Sequence, residues 1–520
     1  MRVVYKFYHF QVRGGETMLK IFVRTFSLAI PAVLALSAFS QQKAHARDEF
    51  FWLGQMNKAT AVINTEEGLL DKAIAPRIAA GVAKVIEDGN KPGGKRPTTV
   101  ITFEPLLINA AGPEVTLLHA GRSSQDMFAT YRAAILRDDV LALADQLNKA
   151  FRSLIKLAER HTKTIVPNYT NGVAAQPNSY AHQLLGHAAG IERDAQRLRE
   201  AYERIDRCAM GTTVLNGTSW PLNRARMADY LGFATIVDNA YDASQISSME
   251  HPVEVGAIVT SIALHVGNFI EDMMTQYAQS RPWILLQEGS ETTYVSSAMP
   301  QKRNPGILND ARRDASRAIS LAMGTILRTH NITPGMNDPK GPKDNSMMVN
   351  SAIKFLKSWD KILNSLVISP DRALEELNSD WTASQELADV LMRKYKLPFR
   401  VGHHFASEIV SFAKNNNIKP LDFPYAEAQR IYKEAVKDYK QAGELPMSEE
   451  EFRSTLNPVA IVNNRATVGG PQPAELDRML KIANQKLVEQ NSWIEKKRVK
   501  INASLAKLDA DFGKLLKSGK

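Results

Sequence analysis

The chain has one cysteine, Cys208, among 520 residues, so no disulfide forms within it and the fold must rest on core burial. Histidines and cysteines show no zinc-ligand spacing. There is no glycine-rich loop of the kind that cradles a nucleotide. Lysines and arginines do not cluster among aromatics, which removes the usual footprint of nucleic-acid binding. No internal repeat is present and strand signals are few. What remains is a composition of 44% hydrophobic and 23% charged residues, that of a folded globular protein with a large core. These absences point to an all-α chain with no indicated cofactor or metal.

The N-terminus reads differently from the rest. Lys20 and Arg24 precede an apolar run from Thr25 to Phe39, followed by Ala44-His45-Ala46. That order is the pattern of a secretory signal peptide, and its apolar core is short for a membrane span. Cleavage after Ala46 is expected, with Met1 or Met18 as the start, giving a periplasmic or secreted protein with no stable membrane association. Residues 1–46 hold six Lys or Arg and one Glu, so the formal charge of +10 falls to +5 without them. Moderate positive charge favours polycarboxylate substrates.

Helical periodicity dominates the remainder. Leu184, Ala188, Ile191, Ala195, Leu198, Tyr202 and Ile205 alternate steps of four and three, the seam of a long bundle helix. Val140, Leu143, Leu147, Phe151, Leu154 and Ala158 share one face, with Arg137, Asp145, Lys149, Arg152 and Lys156 expected on the outer one. From Val255 to Met274 the chain is apolar nearly all round, which predicts a central helix. His265, Asn268, Glu271 and Asp272 argue against a membrane span there. A last helix should carry Ile494, Ile501, Leu505, Leu508, Phe512 and Leu515 inward. Loop signals gather at Lys91–Pro97, Gln287–Pro305 and Asn331–Asn345, and such loops often carry function.

Three segments hold the chemistry. The first, just after the central apolar helix, is Ser296-Ser297-Ala298-Met299-Pro300-Gln301-Lys302-Arg303-Asn304-Pro305. It closely resembles the signature loop of the fumarase and aspartase superfamily, with Val295 where a Gly usually precedes the serines. The second, His119-Ala120-Gly121-Arg122-Ser123-Ser124-Gln125-Asp126, resembles the His-x-Gly-Arg-Ser-Arg-Asn-Asp stretch of argininosuccinate lyases, with Ser124 for Arg and Gln125 for Asn. The third is Tyr169-Thr170-Asn171-Gly172-Val173-Ala174-Ala175-Gln176-Pro177, similar to the remaining signature region. The likeness continues through Asn216–Ser244, where Asn223 replaces an Asp. It includes Thr382, Leu387-Ala388-Asp389, Arg393-Lys394, Pro398-Phe399-Arg400, His403, Asn457-Pro458, Arg465 and Gly469-Gly470 of the argininosuccinate lyase C-terminal signature.

This resemblance implies a three-domain, all-α fold with a central long-helix bundle: an N-terminal domain over 47–125, the bundle over 126–373 and a C-terminal helical domain over 374–520. It implies a homotetramer whose active sites are each shared by three subunits. The reaction implied is β-elimination of an amine from an N-substituted aspartate, argininosuccinate or a related aminopolycarboxylate, to release fumarate. Such chemistry removes a weakly acidic carbon-bound proton and stabilises a dianionic aci-carboxylate. Ser296 is the expected base, with Lys302 and Asn304 on the carboxylate. Arg122, Ser123, Gln125, Thr170, Asn171, Gln176, Ser297 and Met299 are expected to hold the dicarboxylate substrate.

Two departures leave a second reading open. Family members place a His after the threonine and a Glu five residues beyond the loop asparagine. Here these are Asn171 and Asn309, amides that transfer no proton near neutral pH. Met336-Asn337-Asp338 stands where a Tyr-Asn-Arg run is typical, in the region expected to grip the guanidino half of argininosuccinate. The alternative is a binding or structural protein that kept the fold and lost catalysis.

Overall fold

The computed structural model describes residues 47–519; the expected signal peptide and its cleavage point lie outside these residues. The N-terminal part holds α1 (Glu49–Glu66), α2 (Ala75–Asn90) and α3 (Val100–Ala111). The bundle comprises α4 (Ser124–Arg160), α5 (Tyr180–Ile205), the short α6 (Arg224–Tyr230), α7 (Ser247–Tyr277), α8 (Gly306–Thr329) and α9 (Pro342–Asn364). Then follow α10 (Pro370–Ser379), α11 (Ser384–Tyr395), α12 (Phe399–Asn415), α13 (Tyr425–Ala435), α14 (Glu449–Leu456), α15 (Pro458–Asn463) and the long α16 (Pro473–Lys517). Among the described residues eight short strands pair two by two: β1 (Ile165–Thr170) with β2 (Val173–Ser179), β3 (Arg207–Cys208) with β4 (Thr235–Ile236), β5 (Ile284–Leu286) with β8 (Leu366–Ile368), and β6 (Tyr294–Val295) with β7 (Arg303–Asn304). The fold is all-α, as its periodicity indicated.

Side-chain pairs fix the helix directions. Ser346 and Asn364 of α9 bond Asp139 and Ser153 of α4, so these two run parallel. Ser261 bonds Asp194 and Arg204 pairs with Glu254, which sets α7 antiparallel to α5. α4 begins at a capping box, with Ser123 and Asp126 satisfying each other's backbone N–H groups. Its 37 residues carry the chain about 55 Å before the β1–β2 hairpin turns it into α5. Chain segments therefore sort to one end of the bundle or the other. The Arg122 loop, the start of α7 and the 330–341 loop lie at the end where α4 begins. The β1–β2 hairpin, the 287–305 loop and the β5–β8 pair lie where it finishes.

α7 together with the turn that leads into it, Asp242–Tyr277, is apolar and long enough to cross a membrane. Val255, Ile258, Val259, Ile262, Val266 and Phe269 are buried within the bundle, so the run serves the core. Arg137 departs from the outward position expected on α4: it has no solvent exposure. Its guanidinium reaches Asp206 at 3.0 Å and the carbonyls of Gly232 and Leu231. Helical periodicity places a residue on a helix, but a neighbouring turn that needs a donor can bury its charge.

Trp381 to Leu456 contribute a second hydrophobic core of their own, around Leu387, Phe405, Phe423 and Phe452. α16 leaves that unit and joins the main core through Leu476, Leu480, Leu487, Ile494, Ile501, Leu505, Leu508 and Phe512. Gly232, at φ +72°, lets it pass closely, since a Cβ there would sit 3.0 Å from the Ile501 Cα.

His251 in the second turn of α7 is buried, which pushes its pKa down to about 4, with Arg204 and Arg207 acting in the same direction and Glu254 against it. The folded state thus binds fewer protons than the unfolded chain between about pH 6.5 and 4, and stability is lost as pH falls through that window. The expected loss is about 3 kcal/mol. Urea midpoints measured from pH 7 to 4 should show a flatter slope for His251→Gln than for the parent, and equal slopes would remove His251 as the cause.

Candidate active site

The signature loop is a hairpin. β6 and β7 pair Tyr294 with Asn304 and Val295 with Arg303, and the Ser296 N–H donates to the Lys302 carbonyl at 3.3 Å. Within its turn, the backbone N–H groups of Met299 and Ala298 point at the Ser296 Oγ, at 3.2 and 3.4 Å. Donors aimed at a hydroxyl oxygen stabilise its alkoxide form. Lys302 is exposed on the return limb, and the Asn304 amide donates to the Tyr294 carbonyl. Ser297 and Met299 are exposed at the tip. Arg303 is held aside by Glu288 at 2.9 Å. The loop thus presents one hydroxyl that accepts two backbone N–H groups, one exposed ammonium with no ion pair among the described residues, and one amide, all within residues 296–304.

Arg122 is built differently. Its side chain is buried against α1, donating to Asn57 at 2.7 Å and Thr60 at 3.2 Å, while its Nε has no partner. Burial pulls its pKa down to about 10, still charged at neutral pH. A buried guanidinium with an unused donor can take a carboxylate. Ser123 has a structural task as well, since its Oγ accepts the Gln125 N–H; the hydroxyl proton stays available. Asp126 fixes the surrounding loop by accepting the N–H groups of Ser123, Gly211 and Thr213. Burial pushes its pKa up to about 6. Asn57, Thr60 and Asp126 were not among the expected site residues. The i, i+3 spacing of Asn57 and Thr60 on α1 shows only a shared face, and nothing local says that face meets Arg122.

Thr170 and Asn171 occupy the tip of the β1–β2 hairpin. Asn171 and Gly172 have φ of +54° and +77°, the two-residue turn that Asn-Gly favours. Asn171 is therefore explained by backbone geometry as well as by any chemistry. It borders a cleft of about 710 Å³ between α5 and α7, with His187, His265 and Asp272. Gln176 bonds Gln385 of α11. Behind the tip, the Tyr169 hydroxyl donates to Glu376 of α10 and accepts the Trp283 indole N–H, which ties this hairpin to the chain leading into the signature loop.

Within one chain these segments do not converge. No hydrogen bond among the described residues joins the Ser296 hairpin to Arg122 or Thr170, and Arg122 lies at the far end of α4 from both. Among the described residues no group of three or more His, Cys, Asp or Glu forms a metal cluster.

Comparison with known proteins places the chain. Residues 36–319 match the family model described as Lyase, and residues 381–463 that of the argininosuccinate lyase C-terminal region. Argininosuccinate lyase of Methanocaldococcus jannaschii is 28% identical over 85% of this chain and 90% of its own. That of a Geobacillus species is 30% identical over 80% and 88%. An EDDS lyase solved in complex with formate superposes with a TM-score of 0.80 at 22% identity, covering 93% of this chain and 94% of its own. A fumarate lyase from a Mesorhizobium species gives 0.62 at 16% identity, over 88% and 100%. Both solved structures share the fold, and the sequence matches span the three segments described above; the chain belongs to the argininosuccinate lyase family of the fumarase and aspartase superfamily.

Proposed function

We propose that this protein is an exported carbon–nitrogen lyase that eliminates an amine from an N-substituted aspartate and releases fumarate. The observation that carries this reading is the Ser296 hairpin, whose turn aims two backbone N–H groups at one hydroxyl oxygen. Ser296 takes the carbon-bound proton. Lys302 and Asn304 stabilise the aci-carboxylate that forms, and Arg122, Ser123, Gln125, Thr170, Asn171, Gln176, Ser297 and Met299 hold the substrate. No step needs the His and Glu that are replaced by Asn171 and Asn309 if the amine leaves already protonated.

The separation of Arg122 from the Ser296 hairpin by the length of α4 supports a homotetramer in which different subunits supply them. The amine half is argininosuccinate's or that of a related aminopolycarboxylate, and export to the periplasm or beyond favours the latter over a cytoplasmic biosynthetic role. Named relatives are argininosuccinate lyases, and a structural neighbour at 22% identity is an EDDS lyase variant with bound fumarate.

The test is ultraviolet absorbance of fumarate while the protein is offered argininosuccinate, aspartate and a panel of N-substituted aspartates. Fumarate released from at least one N-substituted aspartate is the expected result. Silence across the panel from a folded oligomer would replace the lyase with the binding-protein reading, and light scattering that showed a monomer would remove the shared site.

A further inference from the structure

The start of α7 and the 330–341 loop enclose a small pocket whose lining includes Arg132, Arg207, His251, Lys340 and Asn345 and contains no Asp or Glu. Lys340 is 1% exposed, and its ammonium has one partner, the Ser244 carbonyl at 3.0 Å. No carboxylate pairs with it among the described residues. Arg132 donates to Asn337 at 3.0 Å, but its buried Nε is unpartnered. Arg207, at the rim, forms no ion pair among the described residues. α9 begins two residues beyond Lys340 with no side chain capping its first turn, and Asp344 in that turn offsets its amide dipoles without lining the pocket. Buried charges in folded proteins are paired, and here the buried Lys340 ammonium and the Arg132 guanidinium, which also stacks on Phe128 and Tyr131, face one space that no carboxylate lines, with the exposed Arg207 at its edge.

We propose that this pocket binds a halide-sized monovalent anion, held by the Lys340 ammonium and the Arg132 guanidinium. The space open to the centre of a water-sized sphere is about 20 Å³, which admits one or a few waters or a small inorganic anion. The six-carbon gluconate chain is too large for it. The anion would fasten three pieces of chain at once. Lys340 and Asn337 come from the 330–341 loop, Ser244 from the π-helical turn Asp242–Ile246 that leads into α7, and Arg132 from α4. Gln245 already binds the Gly335 N–H across the same junction, so an occupied pocket should order the 330–341 loop. The proposal does not rest on the lyase reading, because it concerns the charge balance around Lys340 and Arg132; it shares only Asn337 with the Met336-Asn337-Asp338 stretch expected to grip the substrate's guanidino half.

Thermal unfolding at constant ionic strength tests it, with chloride exchanged for gluconate. The midpoint is expected to rise about 1–2 °C for each tenfold increase in chloride above the dissociation constant. Lys340→Met, which removes the unbalanced charge and keeps its volume, should unfold at or above the parent temperature in gluconate and lose the chloride response. A parent midpoint indifferent to the exchange, or a Lys340→Met protein that still responds, would overturn the site. Bromide-grown crystals of the unmutated protein give a second readout, with an anomalous peak expected beside the Lys340 Nζ; its absence at saturating bromide would count against the proposal even if the variant failed to fold.

Discussion

Replacing Ser296 by alanine is expected to lower kcat for fumarate release about 10³-fold, within the 10²–10⁴ range typical of a lost general base, while KM changes little. The hairpin itself should survive. Its β6–β7 pairing and the bond from the Ser296 N–H to the Lys302 carbonyl use backbone atoms only, so Lys302 and Asn304 keep their places. What disappears is the oxygen toward which the Ala298 and Met299 N–H groups point. A serine hydroxyl is a poor base unless its charged form is favoured, and those two donors supply part of that preference. Circular dichroism and light scattering should match the parent, separating lost chemistry from lost structure. Undiminished turnover would remove Ser296 as the base and shift attention to groups near Asn171, where His187 and His265 border the same cleft.

Much of this architecture was legible in the residues. The alternating four- and three-residue seam from Leu184 to Ile205 is α5, with Leu184, Ala188, Ile191, Leu198, Tyr202 and Ile205 all buried. The apolar run after Val255 is the core of α7, and the proline-bounded Ser296 segment is a loop between helices. These features are local, carried by spacing and turn residues that the chain expresses without reference to the rest of the fold. The β1–β2 hairpin carried its turn signal at Asn171-Gly172, yet its strands include Pro167, Asn168, Gln176 and Pro177, which lack the alternating pattern of a half-buried sheet.

Other parts are long-range and leave no local trace. Arg122 finds Asn57 and Thr60 more than 60 residues away. The cation pocket joins Arg132, Ser244 and Lys340 from three separate elements. The signature segments go further, because they lie at opposite ends of one bundle. Recognition of the motifs could name these segments, but a single chain does not bring them together, which is the reason the proposed reaction goes with the proposed tetramer.

Arg137→Ala should destabilise the protein by about 3–5 kcal/mol, the cost of removing one partner from a buried ion pair. Arg137 and Asp206 are both essentially unexposed, and the same guanidinium satisfies the carbonyls of Leu231 and Gly232 and packs over the Phe233 ring at 4.3 Å. Alanine would leave those carbonyls unpaired and Asp206 with only Lys497, at 3.5 Å. The damage should spread toward the pocket that Arg122 lines, because the 207–237 segment that Arg137 anchors also contains Met210, Gly211 and Arg224 beside Arg122. Arg137→Met tests how much is packing: it restores volume but not charge, so it should recover less than half of the loss. Arg137→Met combined with Asp206→Leu removes both charges and should recover more than either single variant. Urea midpoints decide the matter. A loss below about 1 kcal/mol for Arg137→Ala would mean that Lys497 or water compensates Asp206, and that the buried pair is incidental to the fold that positions Arg122.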